Sequence, residues 1–121
     1  MKTILIVEAV AAQRELLASW LKYDYTVLTA ADGESGMALA AQAEPDLLFM
    51  GLSLPDGEGL EVMRQLHARP RLREIPIIAL TAQGVPPEQA SLRAAGCVGT
   101  LALPLEEEQV QGVVRSWLGG G

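Results

Sequence analysis

A handful of side chains in this 121-residue chain could do chemistry, and each has a plainer use to be weighed against it. Glu8 follows the apolar run Ile4 to Val7 and could ligate a divalent cation, but one carboxylate is a weak ligand for a hard ion, so a solvated polar residue is expected. Thr81 ends the run Ile77 to Leu80, and its hydroxyl could bond an anion, with capping or turn chemistry the expected use. His67 lies between Arg64 and Arg69 and could be a phosphohistidine or a metal ligand; with no second ligand beside it, a solvated helix face is expected. Cys97 is the single cysteine, set among Ala95, Gly96 and Val98. It excludes an internal disulfide framework and reads as a plain buried thiol, which suits the reducing cytoplasm. Trp20 and Trp117 fall on apolar stripes, where core or interface packing is expected rather than ligand stacking.

Short apolar, often β-branched runs position these residues: Ile4 to Val7, Thr26 to Thr29, Leu47 to Met50, Ile77 to Leu80 and Val98 to Leu101. Each reads as a buried strand. Helical spacing lies between them, over Ala11 to Lys22, Glu34 to Ala43, Gly59 to Ala68 and Glu88 to Ala95, with Glu106 to Leu118 closing the chain. The acids Glu106, Glu107 and Glu108 open that last helix, where negative charge suits the helix dipole. Alternating strands and helices imply an α/β fold, a parallel sheet with right-handed crossovers and helices on both faces. In such sheets the functional crevice lies beyond the carboxyl ends of the strands. Those ends are Glu8-Ala9-Val10, Met50-Gly51-Leu52-Ser53, Thr81-Ala82 and Ala102-Leu103-Pro104.

Composition narrows the class further. Hydrophobic residues make up 50% of the chain and aromatics only 4%, so the interior is expected to be aliphatic, as a covered parallel sheet requires. The net charge of -6 repels phosphate backbones and anionic membranes, which argues against direct nucleic acid or membrane partners. No segment approaches the roughly 18 apolar residues a spanning helix needs. Five β-then-α units fill the length, so residues 1–118 are expected to form one domain, with Gly119-Gly120-Gly121 as a tail.

The ordered motifs Ile4-Leu5-Ile6-Val7-Glu8, Ala31-Asp32-Gly33, Pro45-Asp46-Leu47-Leu48, Leu54-Pro55-Asp56-Gly57, Pro76-Ile77-Ile78-Ala79-Leu80-Thr81-Ala82, Ala95-Gly96 and Pro104 resemble the receiver domain of two-component response regulators. The resemblance covers almost the whole chain. It implies a flavodoxin-like, CheY-like (βα)5 three-layer sandwich with strand order 2-1-3-4-5. It also implies phosphorelay chemistry: an aspartate at the end of the third strand takes a phosphoryl group, and Mg²⁺ neutralises the transferring oxygens. An acidic pair after the first strand and a backbone carbonyl help hold that ion, while a hydroxyl and a lysine grip the phosphate.

Carried across by position, the resemblance places the acidic pair on Glu8 and Ala9, the acceptor on Gly51 and the carbonyl on Ser53. The hydroxyl falls on Thr81, the aromatic switch on Thr100, the lysine on Leu103 and the following proline on Pro104. Arg14 falls where the family often carries a basic residue. Acceptor, direct metal ligand and phosphate-pairing cation are thus replaced together, so a degenerate pseudo-receiver is expected, with no catalytic residue, no cofactor and Mg²⁺ binding lost or weak. Gly51 itself could permit a tight turn or a close approach by another chain, or could be what remains once the acceptor is dispensable. The expected function is a cytoplasmic signalling module, not an enzyme, that meets a histidine kinase, an output domain or its own copy through the face of helix four, strand five and helix five. Two alternatives stand beside it: phosphorylation at Asp56 or Ser53, and a small-molecule sensor using the crevice of Ala9, Gly51 and Leu103.

Overall fold

A computed structural model of the chain describes residues 1–82 and 89–119. Five strands form one all-parallel sheet: β1 (Thr3–Val7), β2 (Thr26–Ala30), β3 (Leu47–Gly51), β6 (Ile77–Thr81) and β7 (Cys97–Ala102). Their order is β2-β1-β3-β6-β7. Counting the strands of this sheet alone, that is the expected 2-1-3-4-5 order. The helices are α1 (Ala11–Leu21), α2 (Gly33–Ala43), α3 (Gly59–His67), α4 (Gln89–Ala94) and α5 (Glu107–Leu118). Glu88, expected to open the fourth helix, and Gly120 and Gly121 of the tail lie outside the described residues.

Alternation along each strand explains why helices cover both faces. Leu5, Val7, Leu48, Met50, Ile77 and Ala79 point to one side and pack with Ala40 of α2, Met63 and Leu66 of α3 and Leu92 of α4. Ile4, Ile6, Leu47, Phe49, Ile78 and Leu80 point to the other and meet Leu17 and Leu21 of α1 and Val110 and Val114 of α5. Each fully buried aliphatic or aromatic side chain contributes about 1.5–3 kcal/mol. The fifth strand begins one residue earlier than the expected Val98 and carries a register shift, with Ile77 opposite Cys97 and Ile78 opposite Gly99. Val98 is therefore the extra residue, turned outward and exposed. Cys97 is buried, and its thiol donates to the Gly99 carbonyl at 3.0 Å.

One element was not anticipated. Ser53–Leu54 (β4) and Gly57–Glu58 (β5) pair antiparallel in a short hairpin just after β3. Its turn, Pro55-Asp56, has the Pro-Asp-Gly chemistry that favours reversal, and Gly57 takes a φ of 144°. The hairpin delivers the chain to α3 with little clearance. A Cβ on Gly59 would collide with the Gly51 carbonyl, and the Gly59 N–H donates to the Leu52 carbonyl at 3.0 Å. Glycine at 59 is thus a packing requirement between α3 and the end of β3. Gly59→Ala is expected to lower unfolding stability by about 1–3 kcal/mol in a urea titration, because backbone atoms must move to admit one methyl.

Candidate functional site

The carboxyl ends of β1, β3, β6 and β7 bring together the residues singled out from the sequence, and their burial differs from expectation. Glu8 is not solvated: it is only 4% exposed. A Cβ placed on Gly51 would stand 3.0 Å from Glu8 Oε1 and 3.2 Å from its Cδ and Oε2. The Glu8 carboxylate therefore occupies the space that a side chain at position 51 would enter. The carboxylate is met by the Val10 N–H, which donates to Oε2 at 3.1 Å. Arg14 secures the same turn from the backbone side, donating from Nη1 to the carbonyls of Glu8 at 2.7 Å and Ala9 at 3.4 Å. Burial of Glu8 follows from these facts together: glycine leaves room, and a backbone donor replaces part of the lost water.

Thr81 also differs. It is buried, and its hydroxyl donates to the Leu101 carbonyl on the adjacent strand at 3.4 Å, a bond that braces β6 against β7, while residues 83–88 of the loop it was expected to cap lie outside the described residues. The Leu103 N–H in turn donates to the Thr81 carbonyl at 2.8 Å, which continues the sheet contact into the cis Leu103–Pro104 peptide. Leu103 is half-buried against the α1–α5 core and Pro104 is exposed. Ser53 is exposed in the hairpin, and Thr100 is half-buried on β7 facing the groove shared with Gln109, Gly112 and Val113 of α5. His67 is exposed, as expected, with its ring against Gly96. Trp20 is half-buried on the core, whereas Trp117 is 47% exposed and is not a core residue, because α5 already fills its inner stripe with Val110 and Val114.

The donor set around Gly51 can be compared with what a Mg²⁺ ion requires, namely near-octahedral oxygen coordination with carboxylate charge. Glu8 is the only acid among the residues at these strand ends, and one of its oxygens already accepts from Val10. Ala9 contributes a methyl and Gly51 no side chain. These residues do not fit the ion.

Asp56 is the side chain whose partners the sequence did not disclose. It lies apart from the strand ends and closes the hairpin onto α2, accepting from the N–H groups of Gly33 at 2.8 Å and Glu34 at 2.9 Å. Asp32 caps the same helix through the Ser35 N–H at 2.7 Å. The Gly33 and then the Glu34 N–H hold the Asp56 carboxyl below its ordinary value of 3.8. The Pro-Asp-Gly turn was the available signal for the hairpin, but nothing local to Asp56 announces a helix more than twenty residues earlier.

A profile of the response regulator receiver domain matches residues 4–115. The chain belongs to that family. This receiver domain is 29% identical over 119 residues to the polar-differentiation response regulator DivK of Brucella anthropi, covering 98% of this chain and 97% of the relative. Its fold is similar to a putative response regulator from Chloroflexus aurantiacus, with a TM-score of 0.90 and 30% identity over 97% of each chain. It is also similar to the receiver domain of a Pseudomonas aeruginosa sensor histidine kinase, with a TM-score of 0.88 and 28% identity over 98% of each chain. That structure carries a magnesium ion coordinated in its active-site cleft. Among the described residues of the present receiver, no helix is long and apolar enough to cross a membrane.

Two outcomes follow from the contacts around Glu8 and Asp56. Gly51→Asp is expected to destabilise the domain by about 1–3 kcal/mol, since the new carboxylate must share space with a buried one. In a Glu8→Ala background the same change is expected to cost less, a coupling that a double-mutant cycle of urea midpoints measures. Asp56→Asn is expected to be less stable than wild type at neutral pH. A folded value held below 3.8 means the aspartate's contribution is present above that pH and lost as pH falls through the lower folded value. The difference between the two proteins should therefore shrink on acidification below 3.8, followed by denaturant titration at each pH.

Proposed function

We propose that this receiver domain of a two-component response regulator acts as a phosphorylation-independent pseudo-receiver, recognising its protein partner in one dominant conformation. The observation that carries the proposal is the Glu8 carboxylate filling the space beside Gly51, where a phospho-accepting side chain would need to stand. Ala9 and Leu103 support it, since a methyl and an isobutyl group replace the groups expected to hold a metal and to pair with phosphate. Loss of the acceptor alone would remove the nucleophile; loss of all three also removes the charge balance that a transferring phosphoryl group needs.

Phosphorylation at a non-standard residue is less well supported. Asp56 has both carboxylate oxygens engaged by α2, and Ser53 is exposed in the hairpin opposite the exposed Glu58, outside the buried ground held by Glu8 and Thr81. A small-molecule sensor built on Ala9, Gly51 and Leu103 is opposed by the same Glu8 side chain, which takes up the room a ligand would use. The partner is a protein of the signalling pathway, a histidine kinase or an output domain, in the cytoplasm. On the face of α4, β7 and α5, Thr100 and Leu103 replace the switch and phosphate-pairing groups, so contact there does not depend on phosphate.

The test is incubation of the chain with a small phosphodonor and millimolar Mg²⁺, followed by intact-mass analysis. No stoichiometric adduct of about 80 Da is expected, one phosphoryl group being the increment sought. A hydroxylamine-labile adduct of that mass, the signature of an acyl phosphate, would overturn the proposal. As a positive control, the variant Glu8→Asp, Ala9→Asp, Gly51→Asp, Leu103→Lys, whose shorter acid at position 8 frees the space beside position 51, is expected to gain the adduct.

A further inference from the structure

The outward face of α1 has a pattern that the cleft does not explain. α2 and α3 present no large hydrophobic side chain to solvent, but Leu16 of α1 is 41% exposed and Tyr23, just beyond its end, is 77% exposed. Ala12, Leu16, Ser19 and Tyr23 recur at steps of four, three and four residues and are all exposed, so they form one narrow stripe along the helix. Within the helix, the Ser19 hydroxyl is already satisfied, donating to the Leu16 carbonyl at 2.7 Å. The core side of α1 is already occupied by Leu17 and Leu21, and Gln111 of α5 holds its flank by donating to the Trp20 carbonyl at 3.0 Å. Nothing described covers the outer stripe.

We infer that this face docks a second copy of the same chain, with the two α1 helices packed antiparallel along the Ala12–Leu16–Ser19–Tyr23 stripe. Steps of four and three are the spacing of a two-helix seam. The charges beside that seam choose the occupant and its direction. Glu15 and Lys22 lie on the same flank of the stripe, one near each end. In a two-fold antiparallel pair each flank meets its own counterpart reversed, so Glu15 of one copy faces Lys22 of the other, twice. A parallel pair would offset these charges and bring no such match.

Net charge points the same way. The whole chain carries -6, which would oppose self-association over most of its surface, but residues 10–24 hold Arg14 and Lys22 against Glu15 and Asp24, a balance of zero. Lys22 extends over the Tyr23 ring at 5.3 Å, so its ammonium is held at the edge of the stripe, where a partner carboxylate can reach it. A seam of three helical turns buries less than the roughly 1,200 Å² of a standard interface, so a weak, concentration-dependent dimer is the form expected. This inference does not depend on whether the cleft is phosphorylated, and it uses a face separate from that of α4, β7 and α5.

The test is sedimentation equilibrium of the full chain from about 10 μM to about 1 mM, the range in which small interfaces associate. A reversible dimer is expected. Leu16→Glu should be monomeric throughout, with an unchanged circular dichroism spectrum because the position is exposed. Glu15→Lys and Lys22→Glu should each weaken the dimer about three- to thirtyfold, since two symmetric pairs turn repulsive, and the double exchange should return it close to wild type. A chain monomeric at every concentration overturns the inference and leaves the stripe to a partner of another sequence. So does a dimer that survives Leu16→Glu but is lost with Trp117→Glu, or a double exchange no tighter than the single ones.

Discussion

A parallel sheet with crossovers has no face left for water, and that constraint organises this receiver domain. Every strand must send alternate residues into two separate cores, so Ile4, Ile6 and Phe49 serve α1 and α5 while Leu5, Val7 and Met50 serve α2, α3 and α4. With both faces of the central strands committed to packing, polar groups gather at the strand ends. The carboxyl ends of β1, β3, β6 and β7 therefore become a shared pocket floor whatever residues occupy them. What chemistry the floor can do is then a matter of a few side chains, while the fold itself is carried by the aliphatic residues behind them.

On that floor the contact between Glu8 and Gly51 governs the rest. A buried carboxylate is costly unless donors meet it, and among the described residues the donor to the Glu8 carboxylate is the Val10 N–H. The position is tolerable because position 51 adds no side chain and because Arg14 pins the turn by its carbonyls. An aspartate at 51 and a glutamate folded inward at 8 are alternatives for the same volume. Thr81 and Leu103 complete the closure by bonding strand to strand, which turns the β6 and β7 ends into continuous sheet.

The hairpin after β3 ties segments remote in sequence to one another beside that floor. Its turn places Asp56 on the N–H groups of Gly33 and Glu34, so an acid that follows the third strand finishes the second helix. Gly59 then brings α3 against the Gly51 carbonyl. Gly51 is thus hemmed in by Glu8 on its side-chain side and by α3 on its backbone side.

Sequence by itself determined the five strands, the helices between them and the family, because hydrophobic alternation and helical spacing are local patterns that burial on both sheet faces makes unambiguous. The positions that gather at the strand ends were legible for the same reason, since a strand's end is marked where its apolar run stops. Tertiary structure alone decided that Glu8 turns inward, that Thr81 bonds across to β7, that Asp56 belongs to α2 and that Trp117 lies at the surface. Each of these depends on which distant segment arrives beside the residue, and on whether it brings a donor, a methyl or an empty space. A carboxylate's environment is set by those neighbours, and the neighbours of Glu8 include a glycine forty-three positions away.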